Sequence, residues 1–125
     1  MARETFTSDR IGPPVGPFSQ AVRGGDSIFL SGQVGHDPAT GRLVEGGVAA
    51  QTEQALRNLA AVLEAAGRTL DDVVRVGVYL ADMGDFAAMN EVYARSFNAP
   101  YPARTTIGVA ALPLGAAVEI DCVAR

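Results

Sequence analysis

A chain of 125 residues and 13.0 kDa has the length of one domain, 1–125, and a composition of 48% hydrophobic and 19% charged residues, with a mean hydropathy of +0.16, excludes a disordered polymer. All ten cationic residues are arginines, which excludes lysine Schiff-base chemistry, pyridoxal phosphate and a Walker A loop, while the single His36 and single Cys122 exclude a Cys/His zinc site or a disulfide within one chain. A net charge of −4 and a pI near 4.8 argue against a nucleic-acid surface and for a small-molecule partner, with no metal and no cofactor expected.

The chain opens on Met1-Ala2-Arg3-Glu4, which leads into polar sequence, and no apolar run approaches the roughly 18 residues of a membrane span. A soluble, cytoplasmic protein with no membrane partner is the expectation. Gly12 to Pro17 marks an irregular lead-in. Phe18 to Arg23 and Ser27 to Ser31 flank Gly24-Gly25 and read as a hairpin turning on that pair. His36 to Gly41 is a further turn. Val48, Ala55, Leu56, Leu59, Leu63 and Ala66 form one stripe of an amphipathic helix that stops at Gly67. Val73 to Leu80 is a strand, with Val74, Val76, Val78 and Leu80 on one face and Arg75, Gly77 and Tyr79 on the other. A second helix spans about Gly84 to Phe97, with Asp82 as its N-cap and Phe86, Met89, Tyr93 and Phe97 along one stripe. Arg104 to Val109 and Val118 to Ala124 close the chain as strands. The order β-β-α-β-α-β-β describes an α+β fold, one sheet with two helices on one face. The other face lacks cover in a monomer, so a homo-oligomer is expected.

Chemistry concentrates in three places. In the last strand, alternation puts Val118, Ile120 and Cys122 toward the core and Glu119 and Asp121 opposite, either as solvated strand acids or with one carboxylate lining an inter-subunit cleft as a general base. Arg104, where the loop after Pro102 becomes a strand, is either a surface cation or a fork for a substrate carboxylate, with Glu119 expected on the same side of the sheet. Ser31-Gly32-Gln33 is either a plain turn or a place where a ligand approaches the backbone closely. His36-Asp37 reads as an ordinary Asx-type turn and Cys122 as a buried, inert thiol.

Val15-Gly16-Pro17-Phe18-Ser19-Gln20-Ala21, Ser31-Gly32-Gln33, Asp85-Phe86 with Met89-Asn90 and Tyr93, Pro102-Ala103-Arg104-Thr105, and Val118-Glu119-Ile120 fall in one order and spacing. In these motifs the chain, from about Ile11 to Ala124, resembles the Rid family of reactive intermediate deaminases, also called the YjgF or L-PSP family. The resemblance implies a chorismate-mutase-like α+β domain with one mixed sheet, a homotrimer whose sheets form a central barrel, and ligand sites between subunits. It implies hydrolysis of 2-imino acids, or their enamine tautomers, to 2-oxo acids and ammonia. Carried onto this chain, Arg104 corresponds to the carboxylate clamp and Glu119 to the acid that positions or activates water. Ser31 and Gly32 correspond to a loop beside the substrate, and Asn90 to a pocket residue on the neighbouring subunit's side. Phe18 stands where the best-known members have a tyrosine, and Thr106 where they have a cysteine, both at substrate-binding positions. A neighbouring activity on aminoacrylate or aminomuconate fits equally well. The rival readings are a non-catalytic binder of small carboxylates, disfavoured by an acid beside an anion clamp, and an endoribonuclease, disfavoured by the negative charge.

Overall fold

Strict alternation in the last strand sets the pattern for the sheet: Val118, Ile120, Cys122 and Ala124 are buried, while Glu119 and Asp121 stand half-buried on the opposite side. The computed structural model describes residues 2–125 and contains β1 (Thr5–Phe6), β2 (Ala21–Gly24), β3 (Ser27–Val34), β4 (Val73–Leu80), β5 (Ala103–Gly108) and β6 (Val118–Ala124), with α1 (Gly47–Ala65) and α2 (Phe86–Ser96). The strands form one sheet in the order β1-β2-β3-β6-β4-β5, antiparallel throughout except for the parallel β4–β5 pair. This is the mixed α+β architecture expected from the sequence.

Register ties the buried face together. Val76 pairs with Cys122, Val78 with Ile120, Leu80 with Val118, and on the other flank Leu30 pairs with Cys122. Against these side chains pack Ala55, Leu56, Leu59, Val62 and Leu63 of α1, Met89 and Tyr93 of α2, and Phe97 just beyond it. Leu59 and Leu63 are almost fully buried, so truncating either to alanine would cost about 2–5 kcal/mol. Helix α1 ends as anticipated, with the Gly67 N–H donating to the Glu64 carbonyl (3.0 Å) and the Arg68 N–H to Leu63 (2.8 Å).

Four local expectations are corrected. Gly24 is a strand residue paired with Ser27, so the hairpin turns on Gly25-Asp26, with Gly25 at φ 61 as a type II′ turn requires of its first central residue. Phe18 lies before β2 and is 48% exposed, and the short strand β1, unanticipated, pairs with β2. Val74 is exposed, because the β4–β6 register shifts between Val73 and Arg75 and the bulge brings both Val73 and Val76 onto the core face. Asp82 caps a 3₁₀ turn, Met83–Asp85, by accepting the Gly84 N–H at 2.8 Å, and α2 itself begins at Phe86.

Candidate active site

Arg104 is the second residue of β5 and pairs with Val76, so its side chain leaves the sheet on the helix-covered face. Its guanidinium carbon lies 4.6 Å from the centroid of the Tyr93 ring and 5.7 Å from that of Phe86. Among the described residues, Arg104 makes no ion pair. A cation held by aromatic faces keeps its in-plane N–H donors free for an incoming anion. They border an open recess of about 300 Å³ that Asn90, Tyr101 and Pro102 also line. Thr106, two residues on and on the same face, does not line this recess, and its Oγ1 is shielded without a hydrogen-bond partner, as is the Tyr93 hydroxyl.

Glu119 occupies the other face. It pairs with Val34 of β3 and Tyr79 of β4, and its carboxylate lies across Gly32, where an added Cβ would overlap the carboxyl group. Only glycine permits that approach. Gly32 sits in the irregular stretch between Leu30 and Gln33 where the β3–β6 register shifts. Burial first, and the neighbouring Asp121 charge second, hold the Glu119 pKa above the ordinary carboxylate value. Asp121 itself accepts a hydrogen bond from the Tyr79 hydroxyl at 2.9 Å.

Beside Glu119 runs a groove of about 690 Å³, within the range of small-molecule sites, lined by Phe18, Ser31, Gly32, His36, Pro113 and Leu114 among others. The Ser31 hydroxyl donates to the Ser19 carbonyl at 2.6 Å and the Ser31 N–H to Gln20 at 2.9 Å, so this residue fastens the N-terminal loop to β3. Buried Gln20 completes the tie, accepting the Ser8 N–H and donating to the Gly12 carbonyl, each at 2.7 Å. His36 is engaged structurally. Its Nδ1 faces the Asn58 amide at 3.3 Å and its Nε2 faces the Ile11 carbonyl at 3.5 Å, an arrangement that assigns the proton to Nε2. Asp37 accepts the Ala39 N–H at 2.8 Å in the expected Asx turn. Cys122 is buried with its thiol pushed up to about 12, which removes it as a nucleophile.

The predicted site residues thus divide. Phe18, Ser31, Gly32 and Glu119 line one groove, Asn90 and Arg104 another recess, and Thr106 neither. The expectation that Glu119 stands on the Arg104 side of the sheet is contradicted, because their β4 partners, Tyr79 and Val76, are three residues apart and project oppositely. Sequence reasoning took Phe86 and Tyr93 as a core stripe and as motif residues without giving them a part in the site, and missed Tyr101 and Leu114. Phe86 is 38% exposed at the first residue of α2, and the non-glycine Leu114 is held at φ 62 between Pro113 and Gly115. An aromatic at the solvent-facing start of a helix was the available signal for Phe86, whereas Pro-Leu-Gly carries none for a left-handed leucine.

The protein-family description Endoribonuclease L-PSP matches residues 7–125. The chain belongs to this family. The L-PSP assignment agrees with the Rid resemblance drawn from the sequence motifs. A RutC family protein of Pyrococcus horikoshii is 46% identical over 98% of this chain and 97% of its own length. The mouse (Mus musculus) protein named 2-iminobutanoate/2-iminopropanoate deaminase is 46% identical over 99% of this chain and 92% of its own. The crystal structure of RidA from an Antarctic Psychrobacter superposes with a TM-score of 0.93 at 46% identity, covering 98% and 99% of the two chains. Chemically, this L-PSP chain presents an arginine without an ion pair among the described residues on one face and an acid with a raised pKa on the other.

Proposed function

We propose that this L-PSP protein hydrolyses reactive 2-imino acids of the 2-iminopropanoate and 2-iminobutanoate type, with their enamine tautomers, to 2-oxo acids and ammonia in clefts between the subunits of a homotrimer. The observation that carries the reading is the parity split: a free guanidinium and a partly desolvated carboxylate lie on opposite sides of one sheet, so they can face a common substrate only across a subunit boundary. The uncovered face supports association, since Phe29 and Ile107 are 51% and 46% exposed there. The name of the mouse relative supports the reaction.

Arg104 of one subunit binds the substrate carboxylate through two parallel N–H donors and fixes C2 of the C=N bond. Glu119 of its neighbour takes a proton from water, and the oxygen bonds to C2 as the C=N π pair moves to nitrogen. Glu119 returns that proton to the nitrogen, giving a tetrahedral carbinolamine. Transfer of the hydroxyl proton to the same nitrogen, again through Glu119, turns it into an ammonium leaving group, so the C–N bond breaks, ammonia leaves and the oxygen closes the C=O bond of the 2-oxo acid. A carboxyl group whose pKa is raised toward neutrality serves both directions of transfer better than an ordinary one. The chain's net charge of −4 argues against RNA as the substrate.

The test generates 2-imino acids in situ with an amino-acid oxidase and follows 2-oxo acid release. Acceleration well above spontaneous hydrolysis, from particles three times 13.0 kDa by light scattering, is expected. A monomer, or release at the spontaneous rate, would overturn the proposal.

A further inference from the structure

We infer that Phe86 is a positioning residue for Arg104, holding its guanidinium for carboxylate capture by a cation–π contact rather than by a charged partner; the inference rests on the role proposed above for Arg104. Arginine beside a binding recess is ordinarily oriented by a carboxylate, and such a pair would compete with an anionic ligand for the same donors. Here four ion pairs form among the described residues, and Arg104 belongs to none of them. Its guanidinium carbon is instead near two ring faces, at 4.6 Å from Tyr93 and 5.7 Å from Phe86.

The two rings differ in what else they do. Tyr93 is 5% exposed, belongs to the main core and stacks on Phe97 with centroids 4.7 Å apart, so its presence is explained without Arg104. Phe86 is 38% exposed and is not among the residues of that core. Its place is set by the Met83–Asp85 turn, capped by Asp82, which delivers the first residue of α2 beside the second residue of β5. An aromatic ring that contributes little to the core, yet lies within cation–π reach of an unpaired guanidinium, is accounted for by that contact. A face contact attracts the cation without consuming its in-plane N–H groups, so the fork stays available while its motion is restricted.

The experiment measures binding of the stable product 2-oxobutanoate by calorimetry to wild type, Phe86→Leu, Phe86→Tyr and Arg104→Ala, with thermal melts of each. Phe86→Leu keeps apolar bulk and removes the π face, and should weaken binding about three- to tenfold and raise KM for imine hydrolysis by a similar factor. Phe86→Tyr, which retains the face, should bind within about twofold of wild type. Phe86→Leu binding as tightly as wild type while Arg104→Ala has lost the ligand would overturn the role of Phe86 alone. Normal binding by Arg104→Ala would overturn the anion site and this inference together. A weakened Phe86→Leu that Phe86→Tyr fails to rescue would also reject it, since shape rather than the π face would then be responsible.

Discussion

The two faces of the sheet carry different chemistry for different physical reasons. On the helix-covered face, β4 and β6 present valine, isoleucine and cysteine, and Arg104 at its margin is housed by aromatic rings. On the open face, Glu119 and Asp121 lie flat over the glycines Gly32 and Gly77, and the acids rather than the cation experience one another. Charges that would neutralise each other side by side are kept apart by the thickness of the sheet. The contrast teaches that one chain can hold a cation and an acid without mutual neutralisation, which is the arrangement that the proposed site between two copies requires.

The largest expected effect comes from the open face. Glu119→Gln keeps size and some hydrogen bonding but cannot accept a proton, so turnover should fall by on the order of 10² to 10⁴ while 2-oxobutanoate binding survives. Because burial raises the folded pKa of Glu119, the acid limb of wild-type kcat/KM should lie above the roughly 4.3 of a free glutamate. The same sign means that ionisation of Glu119 works against the fold as pH rises through that value. Glu119→Gln should therefore melt no lower than wild type at pH 7, which separates lost chemistry from lost structure.

On the helix-covered face, Arg104→Ala should weaken 2-oxobutanoate binding by about thirtyfold or more, from the loss of a charge-assisted fork worth roughly 2–5 kcal/mol, and Arg104→Lys should rescue it poorly. Gly32→Ala tests how closely the open face is fitted. The new methyl group would displace the Glu119 carboxylate, and kcat should drop on the order of tenfold with binding through Arg104 retained. Wild-type turnover in Gly32→Ala would mean that the position of Glu119 over β3 is immaterial. The smallest effect is a gain: Tyr93→Phe removes a shielded hydroxyl that has no partner but keeps the ring against Arg104, so stability in denaturant should rise by up to about 1 kcal/mol with ligand binding unchanged. A loss of stability would show that the hydroxyl is satisfied.

Much of this was legible in the residues themselves. Period-two alternation placed Glu119 and Asp121 opposite Val118, Ile120 and Cys122, and the boundaries of β4 and β6 follow from β-branched runs closed by polar or glycine-rich segments. Bulges were not legible: the extra residue at Val74 arises from pairing with β6, a contact between distant parts of the chain, so local alternation extended one position too far. The same dependence on partners hid the sidedness of the site. Arg104 and Glu119 are each readable as functional types, but their relative face is set by how β5 and β6 register on β4, which no local pattern encodes. The aromatic housing of Arg104 went unread because Phe86 and Tyr93 satisfy the helical stripe that also describes an ordinary core.

The central claim is that Arg104 and Glu119 of a working site come from different subunits, and subunit mixing tests it most directly. Arg104→Ala and Glu119→Gln protein, each strongly impaired alone at subsaturating substrate, are dissociated together in mild denaturant, reassembled in equal amounts and assayed for 2-imino acid hydrolysis at that substrate concentration. With one residue from each of two neighbouring chains, about a quarter of the clefts regain both side chains, and activity should recover to about that fraction of wild type reassembled in the same way. Mixed assemblies, verified by distinguishable tags, that remain as impaired as either parent would contradict the account.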